Sequence, residues 1–140
     1  MANTIQVDIV SAEGEIYSGA AKMVFLPAKE GEMGVAPRHA PLLALLKAGE
    51  VRVQPVDGPE LSFYVGGGAL EVQPTKVTVL ADTAARAADL DEAAAMAARQ
   101  RAEEALAGKI DKLEIAEVQA ELIRMDAQLK LIRRLRGKQG

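Results

Sequence analysis

The chain has 140 residues, 49% of them hydrophobic, and a net charge of −3. It contains no cysteine and one histidine, which excludes disulfides, thiolate metal sites and polyhistidine metal sites. Aromatic residues make up 3% of the chain and no concentrated basic face is visible, which excludes a nucleic-acid-binding profile. No signal peptide or membrane-length apolar run is recognisable, so we expect a soluble cytoplasmic protein that is peripheral to a larger assembly.

The hydrophobic period changes once along the chain. All six prolines and all four aromatic residues precede residue 75. Up to that region apolar residues alternate, and afterwards they recur every three to four positions. We therefore predict the α+β class, with an N-terminal antiparallel β-sandwich or flattened barrel over residues 1–86. A C-terminal antiparallel two-helix hairpin is predicted over residues 87–140.

Short strands separated by turns are predicted in the first part of the chain. Alternation at Ile5, Val7 and Ile9 predicts the first strand, and residues 23–26 form a second that ends at Pro27. Residues 29–41 are predicted to be a glycine-punctuated loop. Further strands are predicted at residues 42–46, 51–53, 61–65, 70–72 and 77–79. The glycines at 49 and 66–68 are expected to break these strands, with the triplet used for tight turning or close backbone approach.

Two helices are predicted in the second part. Asp89 and Asp91 are alternative N-caps for a helix over residues 92–106 that ends at Gly108. After a short loop at 109–110, Asp111 caps a second helix that runs to about Arg136. Its heptad seam comprises Ile115, Val118, Leu122, Met125, Leu129 and Ile132. The facing stripe of the first helix comprises Ala94, Ala98, Ala102 and Ala105.

This packing is expected to be weak. An alanine stripe buries less apolar area than a leucine stripe, so the hairpin should open or re-dock at a cost of about a few kcal/mol. Off the seam, Leu113, Ile123, Leu131 and Leu135 need burial against another surface. At the end of the second helix, Arg133, Arg134 and Arg136 either complement the helix dipole or dock on an acidic partner.

No catalytic or metal site is predicted. His39 has no neighbouring serine or cysteine, and the prolines around it favour a rigid contact loop. The glycines at 66–68 are not followed by the Lys-Ser/Thr pair of a phosphate loop. The carboxylate pairs lack the spacing of a calcium site. We therefore expect the chain to act through the surfaces that it presents to partners.

Five segments, taken together, resemble the epsilon subunit of bacterial F-type rotary ATP synthase, which is called delta in mitochondria. They are residues 10–13, residues 31–43, residues 67–74, residues 77–84 and residues 90–93, in the family's order and spacing. The resemblance covers nearly the whole chain. It implies a β-sandwich followed by a helical hairpin, the same fold that the hydrophobic period predicts.

The resemblance also implies a rotor subunit with no active site of its own. The sandwich would bind the gamma subunit, and one loop would contact the membrane c-ring. That loop comprises Glu32, Met33, Gly34, Val35, Arg38 and His39. The hairpin would lie compact or extend into the catalytic head, where it would contact the alpha and beta subunits and block ATP hydrolysis. Arg133, Arg134 and Arg136 would then meet the acidic surface of the beta subunits, at the cytoplasmic face of the bacterial inner membrane.

Some members of this family bind ATP in the hairpin through an aspartate and several arginines. Here Asp91, Arg101 and Arg124 match that pattern, whereas Ala94 and Gln128 stand where arginines would. Each missing guanidinium removes a charge-assisted phosphate donor, so we predict weak or absent ATP binding and no resident cofactor. The alternative function is a free-standing ligand-binding sandwich that dimerises through a C-terminal coiled coil.

Overall fold

The computed structural model describes residues 3–108 and 112–139, without the side chains of residues 138 and 139. Within this part of the chain, seven strands precede two long helices. The strands are β1 (Ile5–Ser11), β2 (Gly14–Ala28), β3 (Gly31–Val35), β4 (Leu42–Pro55), β5 (Leu61–Gln73), β6 (Lys76–Ala81) and β7 (Ala84–Arg86). A 3-10 turn (Ala87–Asp89) leads to α1 (Glu92–Ala107) and α2 (Lys112–Gln139). The chain divides into two units, Met1–Ala88 and Asp89–Gly140, and the order of strands followed by helices confirms the predicted α+β class.

The strands of the first unit form a closed ring. The strand order is β1-β6-β5-β4-β2-β3, and β1 also pairs with β2. β3 is a hairpin extension of β2, and β7 pairs with β5. All pairings are antiparallel except β1 with β6, which is parallel. The predicted flattened barrel is therefore present, with one parallel pair that the alternation pattern did not indicate.

The core of this unit lies inside the ring. Ile5, Val7 and Ile9 are fully buried, as their alternation with polar residues predicted. Phe63 is the largest fully buried side chain, and it belongs to the same buried cluster as valines of the other strands. Burial of this apolar surface supplies the main stabilisation of the unit.

The predicted strand breaks at glycine are wrong, because β4 and β5 run through them without interruption. A Cβ on Gly49 would lie 2.8 Å from Cβ of Pro27. At Gly68, where φ is +136°, a Cβ would lie 2.2 Å from the Leu80 carbonyl oxygen. These glycines allow close approach between neighbouring strands, which was the predicted use of the triplet at 66–68.

The predicted end of β2 at Pro27 is also wrong. β2 starts already at Gly14 and continues through Pro27 to Ala28. The β2–β4 register shifts between Phe25 and Ala28, so Pro27 has no ladder partner on β4 and its missing N–H costs no hydrogen bond there.

The two helices of the second unit lie close to the positions that the hydrophobic period predicted. The N-cap of α1 is Asp91, whose side chain accepts a hydrogen bond from the Ala94 backbone N–H at 3.2 Å. Asp89, the alternative cap, instead ends the 3-10 turn. α2 continues past Gly137, where a stop was predicted, to Gln139. The predicted loop at Lys109 and Ile110 and the predicted cap Asp111 lie outside the described residues.

A small group of buried side chains forms the centre of the contact between α1 and α2. Ala95, Met125 and Leu129 form its buried cluster, with Ala98 partly buried against it. Ala94, predicted for the stripe, is exposed, because the stripe runs through Ala95 instead. Leu113 and Ile123, two of the off-seam residues, remain 75% and 61% exposed.

Candidate functional site

The predicted c-ring contact loop begins as a strand. Glu32, Met33, Gly34 and Val35 belong to β3, which pairs with the end of β2 across a turn at Lys29 and Glu30. The loop prediction for these residues is therefore wrong. Their burial alternates, with Val35 in the core and Glu32 exposed, which is the period of a strand rather than of a loop.

Arg38 and His39 lie in a tight turn after β3. The His39 N–H donates to the Ala36 carbonyl at 3.2 Å, closing a four-residue turn with Pro37 in its second position. Arg38, in the third position, has a φ of +68°, and this combination is typical of a type II turn. The Arg38 N–H donates to the Pro74 carbonyl at 2.8 Å, and His39 Nδ1 donates to the Ala40 carbonyl at 2.7 Å. The turn is therefore held by three hydrogen bonds, two of them from backbone N–H groups.

An open groove of about 770 Å³ lies beside β3. Its lining includes Glu32 and Met33 from β3, and Leu43 and Leu45 from β4. Leu43 and Leu45 are 76% and 58% exposed, so the groove carries apolar surface that this unit does not bury. Both leucines lie in the strand predicted at residues 42–46, but neither was predicted as a contact residue. The two leucines are two positions apart, so their side chains point to the same face of β4, whereas the buried Leu46 points to the other face. This alternation is the signal that predicts an outward face.

The candidate nucleotide residues are only partly brought together. Arg101 and Arg124 line one cleft of about 350 Å³ between α1 and α2. Glu117 and Glu121 line the same cleft, and Arg124 Nη2 lies 2.7 Å from Glu121 Oε2. Asp91 is ten residues before Arg101, about 15 Å along the helix axis. The two arginines therefore face two carboxylates, and this balance weakens the attraction for phosphate.

Ala94 and Gln128, which stand at the positions of missing arginines, do not line that cleft. Ala94 is exposed in the first turn of α1, and Gln128 lies one turn beyond Arg124 on α2. Neither side chain supplies a cation. In the described part of the chain, no group of three or more His, Cys, Asp and Glu side chains has the arrangement of a metal site.

The candidate basic residues lie in the last turns of α2. Arg133 lines a second cleft of the hairpin together with Arg99, Asp126 and Lys130. Arg136 forms an ion pair with Glu92, the first residue of α1. Arg134 is partly buried on a different side of the helix. The three arginines thus do not form one free patch, because Arg136 is engaged within the hairpin.

A second ion pair also joins the helices. Arg99 Nε on α1 lies 2.5 Å from Asp126 Oδ1 on α2, and Arg99 also pairs with Glu103 of its own helix. The hydrogen bond that Arg99 donates to Asp126, together with the negative charges of Asp126 and Glu103, raises the pKa of Arg99 above its ordinary value. Among the described residues, neither helix combines the length and the apolarity needed to cross a membrane.

Comparison with known proteins gives a match over both units. Residues 4–87 match the family described as ATP synthase, Delta/Epsilon chain, beta-sandwich domain, and residues 88–133 match its long alpha-helix domain. The chain is 62% identical to an ATP synthase epsilon chain of Nitrosococcus oceani over 140 residues, covering 100% of both chains. It is 61% identical to an ATP synthase epsilon chain of Alkalilimnicola ehrlichii, covering 97% of both.

Two solved structures share the fold at low sequence identity. A chain of the Euglena gracilis mitochondrial ATP synthase (OSCP/F1/c-ring) has a TM-score of 0.78 at 18% identity, covering 91% of this chain and 80% of that one. A chain of the Tetrahymena thermophila mitochondrial ATP synthase (central stalk and c-ring) has a TM-score of 0.62 at 12% identity, covering 94% and 95%.

Proposed function

The chain belongs to the delta/epsilon chain family of ATP synthase, and from that membership we propose that it is a non-catalytic rotor subunit of the F-type enzyme. In this proposal it joins the gamma subunit to the c-ring in the central stalk. Its hairpin restrains ATP hydrolysis. It is held peripherally at the cytoplasmic face of the inner membrane as part of the proton-translocating complex.

One observation carries the proposal. A relative named as an ATP synthase epsilon chain aligns over 100% of both chains at 62% identity. The two solved structures with this fold come from ATP synthase assemblies that are both named for the c-ring, and the Tetrahymena assembly is also named for the central stalk.

The c-ring contact is proposed at β3 and the turn that follows it. Glu32, Met33, Gly34 and Val35 are held in the β2–β3 hairpin, and Arg38 and His39 in a turn with three hydrogen bonds. Such a surface yields little under load, which suits a part that transmits rotation. The groove lined by Leu43 and Leu45 adds apolar area beside it.

The inhibitory contact is proposed at the end of α2. Arg133, Arg134 and Arg136 would meet acidic groups of the catalytic beta subunits when the hairpin extends. The buried cluster between α1 and α2 is small, and the ion pairs that join the helices lie at the surface. The free-energy difference between a closed and an opened hairpin is therefore small enough for a partner to change it.

Co-purification tests the proposed function. The tagged chain is expressed in the organism from which it comes. It should be recovered from detergent-extracted membranes together with the gamma, c, alpha and beta subunits. Sedimentation of the purified chain should show a monomer. A stable two-chain species, with no other subunit recovered from the membranes, would contradict the proposal and support the ligand-binding alternative.

A further inference from the structure

A cluster of four side chains lies on one face of the sheet: one each from β2, β3 and β4, and Glu60, which directly precedes β5. The Arg52 guanidinium carbon is 4.4 Å from the centroid of the Phe25 ring. Arg52 Nη2 is 3.1 Å from Glu32 Oε1, and Arg52 Nη1 is 3.7 Å from Glu60 Oε2. One guanidinium therefore stacks on an aromatic ring and contacts two carboxylates at once.

The strand register places this cluster. Gly34, Phe25 and Arg52 are opposite one another across β3, β2 and β4. A Cβ on Gly34 would lie 3.2 Å from Phe25 Cε1 and 2.8 Å from Met23 Cε, so the glycine lets β3 pack closely beside the ring. Glu32 is two residues before Gly34 and shares its side of the strand, within reach of Arg52.

Glu32 needs such a partner if it is to keep one orientation. It is on β3, which ends the strand order, and its side chain is 59% exposed. A long exposed carboxylate side chain otherwise samples several rotamers. Arg52 is only 25% exposed, and stacking on Phe25 limits its own freedom.

We propose that Arg52 is a positioning residue that holds the Glu32 carboxylate in the orientation required for the c-ring contact. This inference rests on the proposed function, since Glu32 belongs to the proposed contact surface. Arg52 itself lies behind Glu32 and acts through it. Phe25 and Gly34 complete the support, one as a platform and the other by leaving space.

A double-mutant cycle tests this role. Catalytic F1 sectors are reconstituted with the full chain carrying Arg52→Gln, Glu32→Gln or both, and titrated onto membranes stripped of F1. Each single variant should weaken binding about threefold, the scale of a partly exposed charge pair. The double variant should be no weaker than Glu32→Gln alone. Glu60→Gln, which removes the other carboxylate beside Arg52, is the matched control and should bind normally.

Thermal unfolding of each purified chain separates positioning from folding. Arg52→Lys, which retains the charge but not the planar fork, should recover part of the binding. Two results would overturn the positioning role and leave the proposed function standing. In the first, the double variant loses affinity by the product of the two single losses. In the second, each loss of binding is matched by a loss of thermal stability. Unchanged binding with Glu32→Gln would overturn both the role and the assignment of Glu32. Failure of the wild-type chain to support F1 binding at all would overturn the proposed function itself.

Discussion

Arg136 forms an ion pair with Glu92 at the start of the other helix. It lies three helical turns beyond the buried Met125 on α2. This pair joins the two ends of the hairpin that are farthest from its loop. The same arginine is proposed to contact the catalytic head. Because one guanidinium cannot keep the Glu92 contact while it moves to another subunit, the closed hairpin and the inhibitory contact compete.

Removing the Glu92 charge should therefore strengthen inhibition. In Glu92→Gln the closed hairpin loses one ion pair, so we expect ATP hydrolysis by the assembled complex to fall up to about threefold. Glu104→Gln is the control, because Glu104 is an exposed carboxylate on the same helix that accepts a hydrogen bond from Gln100 within that helix. Equal hydrolysis rates for Glu92→Gln and Glu104→Gln would contradict the competition.

Charge reversal at Arg133, Arg134 and Arg136 should have the opposite effect. Three glutamates would be repelled by an acidic surface of the beta subunits, so inhibition should be relieved and ATP hydrolysis should rise. Lys112→Glu, at the other end of α2, is the control and should leave the rate unchanged. The measurement is the ATPase rate of the reconstituted complex at low salt. The reversal also breaks the Arg136–Glu92 pair, so the reference is Glu92→Gln, which loses the same pair but keeps the three arginines. A rate no higher than that of Glu92→Gln would exclude the basic end as the contact.

Gly68→Ala should strongly destabilise the first unit. A Cβ would meet the Leu80 carbonyl oxygen at 2.2 Å, and φ at this residue is +136°. We expect a loss of more than about 2 kcal/mol in the free energy of unfolding, measured with urea. Gly137→Ala is the matched control, because it lies in α2 with open space around it and should gain up to about 1 kcal/mol of helix stability.

Asp8 should contribute a pH-dependent part of the stability. Hydrogen bonds from Gln6 and Ser18, aided by Lys76 at 3.0 Å, lower the pKa of Asp8 below its ordinary value of 3.8, although partial burial opposes them. A lowered folded-state pKa means that the contribution is complete above the unfolded pKa and is lost as pH falls through the folded one. The loss therefore occurs below about pH 4.

Asp8→Asn should reduce the free energy of unfolding by about 1 kcal/mol at pH 7. The reduction should become smaller as the pH falls below about 4. Urea unfolding at pH 7 and at pH 3 gives both values. Asp57→Asn, in the exposed turn between β4 and β5, provides the comparison and should change neither. A deficit for Asp8→Asn that stays constant with pH would show that the carboxylate charge is not the cause.

ATP should bind the hairpin weakly or not at all. Arg101 and Arg124 share their cleft with two glutamates, and Ala94 and Gln128 supply no cation. Isothermal titration of the wild-type chain should therefore detect no micromolar binding. Glu121→Gln releases Arg124 from its partner and should improve any residual affinity, whereas Glu114→Gln, outside the cleft, should not. Micromolar affinity in the wild-type chain would overturn this prediction.

Much of the fold could be predicted from local pattern. Alternation marked β1 and the ends of β4, β5 and β6, and Asp91 was one of two predicted caps of α1. The glycines misled the prediction, because the same residue breaks a strand in one setting and lets two strands approach closely in another. Gly49 and Gly68 belong to the second case, and only the positions of Pro27 and Leu80 distinguish it.

The candidate surfaces were predictable to different degrees. Arg38 and His39 were expected to lie in a rigid contact element, and the structure places them in a hydrogen-bonded turn. Arg52 was not singled out, because it is 20 residues from Glu32 and no local pattern relates the two. The Glu92–Arg136 pair spans 44 residues and was missed for the same reason.

By itself, the order of residues determined that a β unit precedes a helical hairpin, because burial on one face imposes a period that is visible in any short window. It also determined the family, because several segments keep their order and spacing. Only the tertiary structure decided which charges neutralise one another and where glycine permits close packing. Those outcomes depend on distances between residues far apart in the chain, which no window of sequence contains.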